Sequence, residues 1–133
     1  MISAVDSSVL LDVFLNDPTH GKQSARLLRD AYDAGGLIVS DIVYSEIASQ
    51  FDNQQALDSA LTQLNIRMTC SSRETAFLAG QKWWRYRKAG GKRTRLLADF
   101  VIGAHALVHA ERLLTRDRGF FRTYFPELVV VQR

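Results

Sequence analysis

The chain of 133 residues contains a single cysteine, Cys70. A single cysteine excludes an intrachain disulfide and fits a reducing compartment, and we predict that Cys70 is a small buried residue rather than a reactive thiol. The sequence also lacks the Cys/His set of a zinc site. Its paired glycines, Gly35-Gly36 and Gly90-Gly91, fit neither a P-loop nor a Rossmann turn.

Long apolar runs are absent as well. The longest, residues 96–108, is interrupted by Asp99 and His105, and no basic leader precedes an apolar stretch at the N-terminus. We therefore predict a cytoplasmic protein with neither a signal peptide nor a membrane span. Because 47% of the residues are hydrophobic, the chain suits one compact domain over residues 1–133.

Short apolar runs alternate with helical patterns along the whole chain. This alternation predicts βαβ units, and hence an α/β fold with a central parallel β-sheet flanked by helices. Strands are predicted at residues 2–6, 37–40, 66–69, 112–115 and 128–131. Helices are predicted at residues 7–15, 22–32, 41–51 and 53–64, after residue 71, and at 96–109.

Two helix starts and one buried face can be predicted in more detail. Asp41 is the predicted cap of the third helix, and Ser71 with Glu74 forms a predicted capping box for the fifth. The predicted buried stripe of that fifth helix consists of Ala76, Phe77, Gly80, Trp83 and Trp84.

Four carboxylates lie at the edges of apolar runs or inside them, where a fold normally excludes charge: Asp6, Glu46, Asp99 and Asp117. Asp6 and Asp117 follow predicted strands, and parallel sheets bind ligands beyond the carboxyl ends of their strands. Glu46 is predicted on the buried stripe of its helix. Asp99 is predicted in the first turn of its helix, where the dipole favours an anion and Gly103 leaves space. We therefore expect the four side chains to converge.

Each acid also has a plain structural interpretation, as a helix cap, a surface turn, a first-turn acid or a tolerated polar residue. Chance placement of all four at one edge is the poorer explanation. Oxygen ligands select Mg²⁺ or Mn²⁺, which position a phosphodiester and activate water. Two carboxylates about 5 Å apart repel by roughly 3 kcal/mol at an effective dielectric of about 20, so bound cations should also stabilise the fold.

Other interpretations of the acidic and histidine residues are weaker. A haloacid-type phosphotransferase requires a second Asp two residues after the first, where this chain has Ser8, and the acid pattern of a receiver domain is absent. His105 and His109 are four residues apart on one predicted helix, but they lack a third metal ligand. We predict one packed and one surface histidine.

Positive charge is concentrated between residues 82 and 95, a segment that contains seven cations and no acid. Such a segment beside an acidic pocket suits a polyanionic substrate, although for a charge run alone a solvated helix face or a partner interface is the better explanation. Trp83, Trp84 and Tyr86 lie among these cations. Stacking on bases is conceivable for them, but we favour core or dimer packing for the two tryptophans.

Four segments together resemble a PIN-domain nuclease. They are Val5-Asp6-Ser7-Ser8, Glu46 after the second predicted strand, Ala98-Asp99 in a hydrophobic helix after a basic loop, and Leu114-Thr115-Arg116-Asp117. The chain length and the whole-chain coverage resemble the toxin half of a VapBC toxin–antitoxin pair.

The resemblance implies a Mg²⁺- or Mn²⁺-dependent endoribonuclease in which Asp6, Glu46, Asp99 and Asp117 form the acidic quartet. It assigns Ser7 and Thr115 to the hydroxyl positions that help to orient metal or water. It also implies a homodimer and a cognate antitoxin that covers the active site. On this interpretation, Lys88, Lys92, Arg93 and Arg95 are the expected contacts to the RNA substrate.

Two other functions remain open at this point. A structure-specific DNA nuclease is possible because a site that reads phosphates need not distinguish the sugar. A non-catalytic domain of the same fold, which binds RNA or docks a partner, is the alternative from another class. The complete acid set argues against this second alternative.

Overall fold

The computed structural model describes residues 1–92, 96–117 and 119–132. Its strands are β1 (Ser3–Val5), β2 (Leu37–Ser40), β3 (Ile66–Thr69), β4 (Arg112–Leu114) and β5 (Val129–Val131). Its helices are α1 (Ser7–Phe14), α2 (Gly21–Ala34), α3 (Asp41–Ala48), α4 (Gln54–Gln63), α5 (Arg73–Lys88), α6 (Leu97–His109) and α7 (Phe120–Tyr124). The predicted strands are all present, with ends that differ by a residue or two.

The five strands form one parallel sheet in the order β3-β2-β1-β4-β5. This confirms the predicted α/β fold with a central parallel sheet. Strand β1 is central, and the chain crosses from one side of it to the other between β3 and β4. The resulting switch point lies between β1 and β4, where open α/β sheets bind their ligands. Asp6 follows β1 directly, and Asp117 lies three residues after β4.

Two predicted helix caps are wrong by one residue. The N-cap of α3 is Ser40, whose Oγ accepts a hydrogen bond from the Val43 N–H at 3.1 Å. The N-cap of α5 is Ser72 rather than Ser71, so the capping box with Glu74 does not form. The reason is tertiary: Ser71 donates from both its N–H and its hydroxyl to Oδ1 of Asp41, at 3.0 and 2.7 Å.

The predicted buried stripe of α5 is only partly right, because Trp83 is half-buried and packs against the core but other members are exposed. Phe77 and Trp84 are 65% and 60% exposed, whereas Thr75, Ala79 and Tyr86 are buried. Helix α5 packs along α6, and the small Ala79 side chain suits this close approach better than an indole. The period of the apolar residues is helical on either assignment, so only the packing partner decides which face of the helix is buried.

An aromatic cluster surrounds Phe100 of α6, which is fully buried. The Phe100 ring lies 5.1 Å from Phe120 and 5.4 Å from Tyr86, measured between ring centroids. Phe120 belongs to α7, a short helix that the sequence analysis did not predict. The cluster fixes α7 against the N-terminal half of α6, which carries Asp99.

Predictions for three isolated residues have mixed outcomes. His105 is buried as predicted, and its Nε2 lies 2.8 Å from the Thr69 carbonyl. His109 is only half exposed, and its Nε2 bonds the Thr75 hydroxyl at 3.0 Å. Cys70 is exposed, so its predicted burial is wrong. None of the helices in the described part of the chain combines the length and the apolar character that a membrane crossing requires.

Two helical glycines provide a matched test of the packing. A Cβ on Gly103 would lie 2.5 to 2.8 Å from the Phe125 ring, so the space expected beside Asp99 is occupied by this ring. A Cβ on Gly80 would meet no atom within 4 Å. We expect Gly103→Ala to lower the free energy of unfolding by about 1–3 kcal/mol. Gly80→Ala should raise it by about 0.5–1 kcal/mol.

Urea unfolding followed by circular dichroism measures both changes. A second substitution, Phe125→Leu, should reduce the penalty of Gly103→Ala because it shortens the clashing side chain. If both alanine variants shift the stability in the same direction, the packing of α6 against Phe125 is not as described.

Candidate functional site

Asp6 is the buried centre of the candidate site, with 7% of its surface exposed. It lies between β1 and α1, and its Oδ1 caps α1 by accepting a hydrogen bond from the Ser7 N–H at 2.8 Å. Its Oδ2 accepts hydrogen bonds from the hydroxyls of Thr115, at 2.7 Å, and Ser8, at 3.3 Å. Both carboxylate oxygens are therefore held by the protein itself.

Thr115 connects Asp6 to Asp117. The Thr115 hydroxyl donates to Asp6 and accepts a hydrogen bond from the Asp117 N–H at 3.0 Å. The Asp117 Oδ1 in turn accepts from the N–H groups of Gly119 and Phe120, both at 3.1 Å. The end of β4 is therefore tied to Asp6, and the start of α7 is tied to Asp117.

Ser7 connects Asp6 to Glu46. Its hydroxyl lies 3.0 Å from Oε1 of Glu46 and 3.5 Å from Oδ1 of Asp6. Glu46 is an exposed residue of α3, so its predicted position on a buried stripe is wrong. The buried positions of α3 are Val43 and Ile47, so Glu46 points away from the core.

Asp99 lies in the first turn of α6, as predicted, and it is partly buried. Its Oδ2 accepts a hydrogen bond from the Leu96 N–H at 3.1 Å. Asp99 therefore caps its own helix, a role that the dipole of α6 favours. It also acts electrostatically on two of the other acids.

The pKa values of Asp6 and Glu46 record this mutual repulsion. Burial raises the pKa of Asp6 above its ordinary value of 3.8, against the opposing effect of its hydrogen bonds, and the charge of Asp99 adds to the rise. Partial burial of the Glu46 carboxylate raises the pKa of Glu46, and the charges of Asp6 and Asp99 raise it further. Asp6, Glu46 and Asp99 therefore share one region of negative potential.

The donor set of this region suits a hard divalent cation. Its side chains offer carboxylate and hydroxyl oxygens only, which Mg²⁺ and Mn²⁺ prefer. Within the described ranges, no three His, Cys, Asp or Glu side chains are already arranged around a single metal position. The raised pKa values of Asp6 and Glu46 nevertheless show that a positive charge there would relieve repulsion. The residues fit the expected metal by chemistry and by charge.

The sequence analysis missed a second buried carboxylate, Asp12, which is 4% exposed. Its two oxygens accept hydrogen bonds from the Arg116 guanidinium at 2.9 and 3.0 Å, and Oδ2 also accepts from the Ser24 hydroxyl at 2.7 Å. Arg116 lies between Thr115 and Asp117, so this bidentate pair anchors the segment that carries both. A polar residue at an inward position of α1 was the available signal.

The basic segment has two kinds of lysine. Lys82 is committed to structure, because its Nζ lies 2.9 Å from Oε1 of Glu127 and 3.1 Å from the Tyr124 carbonyl. Lys88 and Lys92 are exposed. Arg93 and Arg95, which were also predicted to contact RNA, lie outside the described residues.

Because the charge of Asp6 is buried, its removal should raise the stability of the fold by an amount that depends on pH. A carboxyl whose pKa is raised in the folded state stabilises the fold below its unfolded pKa of 3.8, and this contribution is lost as the pH rises through the folded pKa. In EDTA at pH 7, Asp6→Asn should therefore melt above the wild type. The difference should shrink as the pH falls through the folded pKa and vanish well below 3.8, where Asp6 is neutral in both states.

Asp17→Asn is the matched control. The hydrogen bond from the His20 N–H lowers the pKa of Asp17, so its charged form stabilises the fold. This variant should melt below the wild type at pH 7. Differential scanning calorimetry across this pH range measures both signs. An Asp6→Asn protein that melts below the wild type at pH 7 would contradict the repulsion described for the site.

Three solved structures illustrate the similarity of the fold. A chain of the VapBC-1 complex of nontypeable Haemophilus influenzae matches with a TM-score of 0.74 and 19% identity, over 99% of this chain and 98% of that one. A chain of the Rickettsia felis VapBC2 complex bound to promoter DNA matches with a TM-score of 0.70 and 18% identity, over 99% and 98%. A sarcin–ricin loop cleaving VapC toxin of Mycobacterium tuberculosis matches with a TM-score of 0.62 and 16% identity, over 98% and 99%.

At these identities the neighbours establish the fold and no more. No protein among curated sequences matches the chain significantly. The family model described as the PIN domain matches residues 4–126, a range that includes all four acids and both linking hydroxyls. The chain therefore belongs to the PIN domain family.

Proposed function

We propose that this protein is a metal-dependent endoribonuclease and the toxin of a toxin–antitoxin pair. The observation that carries the proposal is one chain of hydrogen bonds at the switch point of the sheet. It runs from Glu46 through Ser7 to Asp6, and from Asp6 through Thr115 to Asp117. Asp99 is the fourth acid, and its charge acts on Asp6 and Glu46. Structural scaffolding does not require this accumulation of negative charge.

Asp6, Glu46, Asp99 and Asp117 are the proposed ligands of Mg²⁺ or Mn²⁺. When bound, such an ion supplies Lewis-acid polarisation of the phosphodiester and activation of the attacking water. The protein supplies position. The Ser7 and Thr115 hydroxyls fix the Asp6 oxygens, and the Asp12–Arg116 pair fixes the segment of Asp117. Such outer supports typically change metal affinity or activity by about 10- to 100-fold.

RNA is the proposed substrate because the structural neighbours include a toxin that cleaves an RNA loop. A structure-specific DNA nuclease is the second candidate, since carboxylates that act on a phosphodiester do not themselves read the sugar. Oligonucleotides of one sequence in RNA and DNA form separate the two. A water nucleophile should leave a 5′-phosphate and a 3′-hydroxyl.

We expect Asp6→Asn and Asp99→Asn to reduce RNA cleavage to background while the protein stays folded. Each change removes one negative charge from the site and keeps the size of the side chain. Asp58→Asn is the matched control: Asp58 is an exposed acid of α4 that accepts a hydrogen bond from Tyr44 and makes no described hydrogen bond to the quartet, and its variant should cleave normally. End-labelled RNA with Mg²⁺ or Mn²⁺ provides the assay.

Ser7→Ala and Thr115→Ala should cleave RNA more than Asp6→Asn does and less than the wild type, with activity reduced by about 10- to 100-fold. Cleavage that survives excess EDTA, or that persists in Asp99→Asn, argues against a metal-dependent site. RNA binding without any cleavage by the wild type supports the non-catalytic alternative.

Four cations of the basic segment are the proposed contacts to the RNA backbone. The set consists of Lys88 and Lys92 in the described residues, with Arg93 and Arg95 outside them. Lys82 is excluded because Glu127 pairs with it. Phosphate contacts release counterions from the nucleic acid, so the affinity should depend on salt.

The triple variant Lys92→Ala, Arg93→Ala, Arg95→Ala should bind RNA more weakly and with a flatter salt dependence. For single strands, each lost phosphate contact lowers the slope of log K against log salt by about 0.7. The matched control removes three exposed cations of α2, Lys22, Arg26 and Arg29. An unchanged slope would assign the basic segment to packing or to a protein partner. Fluorescence anisotropy in EDTA measures binding without cleavage.

A cognate antitoxin and a second copy of the chain are the proposed protein partners. Several structural neighbours come from toxin–antitoxin complexes. A cation from the antitoxin, most suitably an arginine, would neutralise the acids whenever metal is displaced. Phe77 and Trp84 form an exposed apolar surface on α5 that a second copy would cover. An RNA substrate places the proposed activity in the cytoplasm.

A further inference from the structure

A cleft of about 540 Å³ opens between the C-terminal end of α5 and helix α7. One wall carries Tyr86, Gly91 and Lys92, and the other carries Gly119, Thr123 and Tyr124. The cleft is formed by different residues from the acid site, and neither the family match nor the structural neighbours assign it a role.

The cleft and the acid site share a wall. The N–H groups of Gly119 and Phe120, both at the cleft, donate to the Asp117 carboxylate at 3.1 Å. On the other side, the ring of Phe100, the residue after Asp99, packs against Phe120 and Tyr86. A polynucleotide with a phosphate at the acids therefore has a neighbouring nucleotide within reach of the cleft.

The walls have the chemistry that a nucleotide requires. Tyr124 keeps 38% of its surface exposed, and its ring is held edge-on by Tyr86 at 5.0 Å. Lys82 bonds the Tyr124 carbonyl, so the backbone that carries this ring is fixed as well. Thr123 contributes an exposed hydroxyl and Lys92 an exposed cation. The described residues that line the cleft include no carboxylate; the nearest one shown is Asp117, behind the wall formed by Gly119 and Phe120.

The opening of the cleft depends on glycine. A Cβ on Gly91 would lie 2.5 Å from both the ring and the carbonyl of Tyr86, so only glycine permits this close approach of the chain. The Tyr86 hydroxyl then donates to the Lys92 carbonyl at 2.6 Å, which fixes the backbone of Lys92 at the rim. At Gly119, a Cβ would meet no atom within 4 Å, so this wall faces open space.

We propose that this cleft binds one nucleotide of the RNA substrate next to the cleaved phosphodiester. Its base stacks on Tyr124, and its phosphate faces Lys92. Aromatic stacking accepts any base and fits a single strand, whereas the acids act only on the phosphodiester. The cleft therefore sets the register of the strand at the acids. The inference rests on the proposed function, because it takes RNA as the ligand.

The test measures RNA binding by the whole chain in EDTA, so that cleavage does not interfere. Tyr124→Leu keeps an apolar side chain but removes the stacking surface, and we expect it to weaken binding by about 5- to 100-fold. Tyr124→Phe keeps the ring and should bind within about twofold of the wild type. Thr123→Trp fills the cleft from an exposed helix position without removing a core contact, and it should weaken binding as well.

An abasic scan identifies the ligand. Removing one base at a time from the oligonucleotide should reveal a single position at which wild type and Tyr124→Leu bind equally. A loss that is the same at every position, or full affinity of both Tyr124→Leu and Thr123→Trp, would overturn the proposal. If a free nucleoside monophosphate competes with RNA at Tyr124, the proposal is supported. Competition by inorganic phosphate alone contradicts base recognition.

The failure of this inference can be distinguished from the failure of the proposed function. If the wild type cleaves RNA and both cleft variants bind RNA with unchanged affinity, only the cleft proposal fails. If the wild type cleaves no RNA but the abasic scan still finds the Tyr124 position, the cleft proposal stands and the proposed nuclease function fails. Thermal melting of each variant shows whether a loss of affinity reflects unfolding.

Discussion

The rest of the site depends on the hydrogen bonds of one buried carboxylate, that of Asp6. It accepts them from Ser7, Ser8 and Thr115. It lies at the end of the central strand, it caps the following helix, and it receives the Thr115 hydroxyl from the adjacent strand. Burial disfavours its charge, and the hydrogen bonds favour it. An anion in this position is maintained by the fold rather than by solvent.

Charge at this point opposes stability and serves the proposed chemistry. The charges of Glu46 and Asp99 extend the same negative potential. Because burial disfavours the charge of Asp6, a fold selected for stability alone would place a neutral residue here. The proposed metal-dependent activity gives the arrangement a purpose, since a bound cation would complete an oxygen-lined pocket.

Helix α7 joins the acid site to its surroundings. Its first N–H groups are taken by Asp117, its aromatic residues pack on Phe100, and its last carbonyl is held by Lys82. Phe120, Thr123 and Tyr124 of the same helix line one wall of the proposed nucleotide cleft. Helix α7 therefore helps to position both the Asp117 carboxylate and one wall of the cleft, and a change in its packing should affect both.

The sequence alone determined the sheet and its parallel class, because apolar runs that alternate with helical periods leave few other folds. It also marked the four acids as candidates, because charged residues inside such runs are costly to bury. Tertiary structure decided the rest. Ser71 bonds Asp41 instead of capping α5. Phe77 and Trp84 are exposed because α5 packs on α6 through another face, and Glu46 is exposed as well. Helix α7 and the Asp12–Arg116 pair depend on contacts between residues that are far apart in the chain. Local periodicity carries no information about such contacts, because it specifies that a face is apolar but not which neighbour will cover it.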